Sequence, residues 1–142
     1  MSHQRHASQI ENGHVLLFDN GEYSRRSGST SRVAEIDPET NEIAWEYQGD
    51  PPMSFYSSYV SSADRLPNGN TLITEGAHGR ILEVTHSGEI VWEYVNPFFF
   101  PGRDNASSNA LFRAHRYAPD DDAVAGRDLD PGGYANLNRL YA

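Results

Sequence analysis

The chain has 142 residues, no cysteine and a formal net charge of −9, and all 11 of its basic residues are arginine. The lack of cysteine excludes disulfides and thiolate metal sites, and the scarcity of cations argues against a nucleic-acid partner, since phosphate binding needs clustered positive charge. The sequence contains no run of about eighteen apolar residues and no basic-then-apolar leader, so we expect neither a membrane contact nor a signal peptide.

An internal repeat runs through the first two thirds of the chain. Three blocks recur in the same order: residues 10–17 return as 66–73, 31–37 as 79–85, and 42–47 as 89–94. Each copy predicts four short strands, at 6–11, 14–19, 31–37 and 42–48, and again at 58–66, 70–75, 79–85 and 89–95. Four antiparallel strands repeated at roughly fifty residues are typical of the blades of a β-propeller.

Turn chemistry and alternation support this interpretation. The Asn-Gly pairs at 12–13 and 68–69 predict type I′ hairpins, in which both central residues take positive φ. The strands carry apolar residues on both faces, as expected for blades that are sandwiched between neighbours. Trp45 and Trp92 hold equivalent positions in the two copies, and we expect both to be buried near blade junctions.

We divide the chain into a first blade at 1–52, a second blade at 53–97 and a tail at 98–142. In the tail, residues 110–117 stand where a third blade would begin and predict a strand, and the Asp-Pro pair at 130–131 predicts the start of a short C-terminal helix. One face of that helix would carry Tyr134, Leu137, Leu140 and Tyr141. The predicted fold class is all-β: a β-propeller fragment of two four-stranded antiparallel blades plus a strand and a short C-terminal helix.

His6 is the candidate for chemistry that this architecture singles out. It stands on the predicted innermost strand of its blade, with Ser8 and Ile10 on the same face, and the innermost strand lines the central channel of a propeller. A histidine there can act as a nucleophile or a base; the alternative is an ordinary polar residue on a frayed terminal strand. The acidic run at 120–122 lacks the spacing and the glycine of a calcium loop, so we expect a solvated turn and no metal site.

Several of these motifs together resemble the bacterial arylsulfotransferase family, in particular its C-terminal part. They are His6, the Phe-Asp-Asn-Gly block at 18–21, the Leu-Pro-Asn-Gly-Asn block at 66–70, and the Trp-Glu-Tyr blocks at 45–47 and 92–94. The resemblance implies a six-bladed propeller that moves sulfate from a phenolic ester to a phenol through a sulfated histidine, without a nucleotide donor. It implies no cofactor, and members of the family are typically exported to the periplasm.

Applied to this chain, the resemblance makes His6 the nucleophile and a small phenolic compound the substrate. Arg113 looks like an arginine near the channel of the family, and we name Asn20 and His115 as further candidate substrate-binding residues. Two alternatives stay open: a non-catalytic binding or assembly module, and a truncated fragment of the family.

A fragment of two blades leaves apolar faces open at both ends, which predicts an interface. We expect a homo-oligomer that closes a propeller ring, in which three subunits of two blades each make six. A dimer whose tails form a third blade on each subunit is the second arrangement that reaches six.

Overall fold

The computed structural model describes residues 4–21, 29–102 and 106–135. Its regular structure is almost entirely antiparallel β-sheet. The first sheet contains, in order, β1 (Gln4–Gln9), β2 (Val15–Asp19), β3 (Arg32–Ile36) and β4 (Ile43–Tyr47). The second contains β5 (Ser62–Arg65), β6 (Thr71–Glu75), β7 (Arg80–Val84) and β8 (Ile90–Val95). The predicted all-β fold with two four-stranded blades is therefore confirmed. No helix in the described ranges is long and apolar enough to span a membrane.

The hairpin turns differ from the predicted type I′ geometry. Gly13 and Gly69 have φ of 87° and 85°, but Asn12 and Asn68 are not among the residues with positive φ. The amide of Gly13 donates to the carbonyl of Ile10 at 2.9 Å. These loops are therefore three-residue connections, a type I turn followed by a left-handed glycine. The type I′ prediction is wrong because only the glycine takes the left-handed conformation.

The hydrophobic core lies between the two blades. One face of the first sheet meets one face of the second, and the linker between them supplies Phe55. The buried cluster comprises Leu16, Phe18, Val33, Trp45, Tyr47, Phe55, Ala63, Ile73, Leu82 and Val84. The Phe55 ring packs at 5.4 Å from that of Phe18 and at 5.2 Å from that of Tyr47. This core accounts for the apolar residues on the two sheet faces that meet at the junction.

A charged and aromatic cluster joins the blades at their turn end. Arg65 of β5 donates to Glu35 of β3 at 2.5 Å, and its guanidinium lies 4.7 Å from the ring centroid of Trp45. The indole N–H of Trp45 donates to the carbonyl of His86 at 2.7 Å, across the blade junction. Trp45 is 8% exposed, which confirms its predicted burial at this junction.

Glu35 is the centre of this cluster. Partial burial opposes its ionisation, but hydrogen bonds from Asn12 and His14 and the charge of Arg65 outweigh burial and lower the pKa of Glu35. The two hydrogen bonds measure 3.0 Å and 2.8 Å. The Asn-Gly turn at 12–13 therefore has two roles: Gly13 closes the hairpin, and Asn12 donates a hydrogen bond to the carboxylate of Glu35.

Trp92 corrects the prediction that both tryptophans are buried. It is 41% exposed, and its neighbour Tyr94 is 38% exposed, whereas the equivalent Trp45 and Tyr47 are 8% and 6% exposed. Trp45 and Tyr47 are covered by the second blade. Among the described residues no further blade covers the β8 half of the second sheet, so Trp92 and Tyr94 face solvent.

The tail also differs from the prediction. Residues 110–117 pair with no strand among the described residues, and the paired tail strands are instead β9 (Phe100–Pro101) and β10 (Ser107–Ser108). The predicted strand at 110–117 is wrong because a strand needs a strand partner, and this segment is anchored to the side of the second blade. The amide of Leu111 donates to the carbonyl of Gly76, and that of Ala114 donates to Thr74 Oγ1.

The C-terminal helix begins where it was predicted. Asp130 accepts a hydrogen bond from the amide of Gly132 at 2.9 Å and precedes a short 3₁₀ helix over Pro131–Tyr134. The capping carboxylate and the proline at the first helical position are the features that predicted this start. The predicted positions of Leu137, Leu140 and Tyr141 lie outside the described residues.

Candidate functional site

His6 lies at a bulge in the innermost strand of the first blade. Arg5 pairs with Phe18 and Ser8 pairs with Leu16, so two residues of β1 oppose one of β2 between these pairs. His6 has φ of 46°, a left-handed conformation that is uncommon outside glycine. Bulges of this kind re-aim a side chain and occur often beside active sites. Here the bulge turns the imidazole toward the second blade.

The imidazole is held in one tautomer by a contact across the blade junction. His6 Nδ1 lies 3.2 Å from the carbonyl oxygen of Ala63. A carbonyl only accepts hydrogen bonds, so Nδ1 carries the proton in this contact. In the neutral imidazole Nε2 then carries the lone pair, and this nitrogen lies 3.9 Å from Asp64 Oδ1. The side chain is 17% exposed, so the nitrogen that is free to attack is partly shielded from water.

Asp64 connects His6 to the tail. Its Oδ1 accepts a hydrogen bond from Arg113 at 3.1 Å, while its Oδ2 is buried and has no hydrogen-bond partner. A histidine from the first blade, a carboxylate from the second and an arginine from the tail therefore meet at one point. Asp64 was missed by the sequence analysis. The available signal was an acidic residue on the predicted innermost strand of the second blade, in the place that corresponds to the channel.

The structure does not bring Asn20 and His115 into this cluster. Asn20 is fully buried, and its amide donates to the carbonyls of Ser57 at 2.5 Å and Val60 at 3.4 Å. Its position supports the linker between the blades rather than an open binding surface. His115 is exposed, and no hydrogen bond or ion pair joins its side chain to the rest of the described chain. Substrate binding by these two residues stays a prediction.

A cavity of about 1070 Å³ is lined by residues that adjoin His6 and Arg113 in the chain, although His6, Asp64 and Arg113 themselves do not line it. Its lining includes Arg5, which precedes His6, and Phe112, which precedes Arg113, together with Tyr59 and Phe100. Val60, which also lines it, has φ of 54°, a conformation that is a genuine outlier for a β-branched residue and that tends to persist at functional sites. Aromatic walls with a guanidinium suit a flat aromatic anion.

A second cavity of about 590 Å³ lies on the other side of His6 along β1, where Ser8, Asp64 and Arg65 contribute to its lining. The cluster therefore stands between two openings on the inner strands. Within residues 4–21, 29–102 and 106–135, no group of three histidine, aspartate or glutamate side chains could hold a metal ion.

The fold and the cluster define a fragment of a β-propeller with a histidine, a carboxylate and an arginine on its channel side. A family model described as Arylsulfotransferase (ASST) matches residues 2–97. The match covers more than half of the chain, and the chain belongs to this family. Searches of curated proteins and of solved structures returned no match. The matched range includes His6 and Asp64 and ends before Arg113.

Proposed function

We propose that this chain takes part in sulfuryl transfer from a phenolic sulfate ester to a phenol, with His6 as the residue that carries the sulfuryl group. The observation that supports the proposal most directly is the orientation of the imidazole. Nδ1 is committed to Ala63 at 3.2 Å, and Nε2 faces the cluster with its lone pair available. Membership of the arylsulfotransferase family makes this chemistry the natural one to test first.

The proposed reaction has two balanced steps. In the first, the lone pair of Nε2 attacks sulfur, the bond from sulfur to the phenolic oxygen breaks, and the donor leaves as a phenolate. The imidazole becomes an N-sulfo imidazolium that still donates from Nδ1 to Ala63. In the second step, the oxygen of the acceptor phenol attacks sulfur, the N–S bond breaks and its electrons return to Nε2. Asp64 accepts the proton of the acceptor phenol and passes it to solvent.

The charges around His6 fit these steps. A sulfate ester is an anion, and a carboxylate alone beside it would oppose binding. Arg113 lies 3.1 Å from Asp64 and offsets its charge, and Arg5, the residue before His6, brings a second cation to the wall of the cavity of about 1070 Å³. Cations placed where the sulfuryl oxygens lie stabilise the charge that develops during transfer.

The test is an assay with a chromogenic aryl sulfate and a phenol acceptor, run on the parent chain and on His6→Ala and His6→Gln. Gln4→Ala, an exposed change on the same strand, is the matched control. We expect turnover by the parent and the control and none above background by either His6 variant. Without acceptor, intact-mass spectrometry is expected to show a sulfo adduct on the parent that is absent from His6→Ala. Equal turnover by parent and His6→Ala would remove His6 from the mechanism.

The alternative function is a non-catalytic binding module of the same family. The cavity beside Arg5 and Phe112 favours it, because such a surface binds an aromatic anion whether or not transfer follows. Calorimetry with an aryl sulfonate, which has no transferable sulfuryl group, separates the two functions. Saturable binding together with no turnover and no adduct supports the binding module.

A further inference from the structure

The tail repeats a contact that the second blade makes with the first. Arg116 donates to Glu83 at 2.7 Å, and its guanidinium lies 4.8 Å from the ring centroid of Trp92. Arg65 makes the same pair of contacts with Glu35 and Trp45, at 2.5 Å and 4.7 Å. The surroundings of the two glutamates also correspond, since Asn68 and Asn70 donate to Glu83 at 3.1 Å and 2.7 Å.

These paired contacts define the register of the tail. Arg65 belongs to β5, the innermost strand of the second blade. Arg116 therefore occupies the position that corresponds to Arg65, but on the innermost strand of a third blade. In this register Ala114 corresponds to Ala63, and Arg113 corresponds to Ser62. The segment at 110–117 thus lies in the position of a blade's first strand, although no second strand pairs with it in the described chain.

Among the described residues, no second, third or fourth strand of that blade covers the outward face of the second sheet. Near the channel, Leu72 and Thr74 are buried at 3% and 1% exposure, whereas Trp92 and Tyr94 toward the rim are 41% and 38% exposed. The indole of Trp45 has an acceptor in the carbonyl of His86 on the next blade. Among the described residues the Trp92 indole has no such acceptor. The tail therefore covers the part of this face near the channel and leaves the part near the rim, with Trp92 and Tyr94, exposed to solvent.

We propose that this face binds the second, third and fourth strands of a propeller blade supplied by another polypeptide, with residues 112–117 as the first strand of the completed blade. The incoming second strand pairs with the free edge of the tail, which is strand addition to an exposed edge. Apolar residues on the incoming sheet cover Trp92 and Tyr94, as Ile73, Leu82 and Val84 cover Trp45 and Tyr47 at the existing junction.

A second copy of this chain fits the face less well. Each blade of a copy already has its own innermost strand, β1 or β5, and that strand would compete with the tail for one position. A head-to-tail ring would also need the outward face of the first blade to be open. The inner part of that face is closed, since Leu17 and Ala34 are 6% and 0% exposed, while Ala44 and Glu46 toward its rim are exposed. The expected ring of identical subunits is therefore not the arrangement that we propose.

The experiment supplies the missing strands from the chain's own repeat. The probe is a peptide of residues 67–97, which carries β6, β7 and β8, with Trp92→Phe in the peptide so that it is silent in tryptophan fluorescence. It is added to the full chain carrying Trp45→Phe, whose only indole is Trp92. We expect saturable binding with about a fivefold fall in acrylamide quenching, since Trp92 should go from 41% exposure toward the 8% of Trp45. Amides 112–117 should gain protection from hydrogen exchange in the unmodified chain.

Arg116→Ala should weaken binding at least tenfold, and Arg127→Ala, an exposed tail arginine, should leave it unchanged. The same strands fused after residue 142 through a flexible linker provide a second format that does not depend on peptide solubility. Unchanged quenching and exchange in both formats would overturn the proposal. Shielding of Trp92 that rises with the concentration of the chain alone would also overturn it, because the occupant would then be a second copy. None of these readouts depends on sulfuryl transfer.

Discussion

The two tryptophans offer a sharp test of the blade assignment, because the repeat makes them equivalent while the fold does not. We expect Trp45→Ala to lower the free energy of unfolding by about 4–5 kcal/mol, near the upper part of the range for a buried aromatic residue. Trp92→Ala should lower it by about 1–2 kcal/mol. Both substitutions remove the same ring from equivalent strand positions, and each removes the contact with a stacked arginine, Arg65 for Trp45 and Arg116 for Trp92.

The difference follows from burial and from one hydrogen bond. A tryptophan side chain buries up to about 250 Å². With 8% exposure at Trp45 against 41% at Trp92, Trp45 removes about 80 Å² more from water, which is worth about 2 kcal/mol at about 25 cal/mol per Å². The hydrogen bond from the Trp45 indole to His86 adds about 1 kcal/mol. Trp45→Ala should therefore cost about 3 kcal/mol more than Trp92→Ala.

Urea denaturation followed by circular dichroism measures both values, provided that the slope with denaturant matches that of the parent. Trp45→Phe and Trp92→Phe serve as milder variants that keep an aromatic ring and should preserve the same order. Equal losses for the two alanine variants would refute the assignment of the core to the junction between the blades. A larger loss at Trp92 would mean that its face is covered in solution.

Two further predictions concern Glu83 on β7 and the anchoring of the tail at Gly76. The hydrogen bond from Asn70 is the largest of the effects that lower the pKa of Glu83 below its ordinary value of 4.5. The ionised Glu83 side chain therefore stabilises the fold above pH 4.5, and this stabilisation is lost as the pH falls through the pKa of the folded state. Glu83→Gln should flatten the fall in melting temperature on the acid side. A Cβ at Gly76 would lie 2.4 Å from the carbonyl oxygen of Leu111, so Gly76→Ala should detach the tail and speed hydrogen exchange at Leu111. Gly133→Ala, which meets no atom within 4 Å, is its control, and unchanged exchange in Gly76→Ala would contradict the anchoring.

The strands of the two blades were predictable because their determinants are local. Most of them are short runs with apolar residues on alternate positions, and several hairpins turn at a residue that takes positive φ, which is glycine at 13, 69 and 88 and asparagine at 41. The strand predicted at 110–117 failed for the opposite reason. Its sequence is compatible with an extended chain, but strand pairing depends on a second strand that these residues do not provide.

The site was predictable only in part. The position of His6 on an innermost strand followed from the order of the repeat. The bulge that turns its imidazole toward Ala63 did not, because nothing in the sequence around His6 marks a change in register. Asp64 could be recognised as part of the site only from its contact with Arg113, a residue far along the chain. Asn20 stands in the Phe-Asp-Asn-Gly block at 18–21 that contributed to the family resemblance, yet the fold buries it completely.

The cluster also has a property that a site within one sheet would lack. His6 lies on the first blade, Asp64 on the second and Arg113 on the tail, so each group is placed by a different unit of the fold. The distances between them depend on the junction that Phe55 and Trp45 fill, and on the tail contacts at Gly76 and Thr74. Packing between units can change while each sheet keeps its own hydrogen bonds. The geometry around His6 is therefore more sensitive to loosening of the junction than the secondary structure is, and a blade that completed the tail would stabilise Arg113 and the site together.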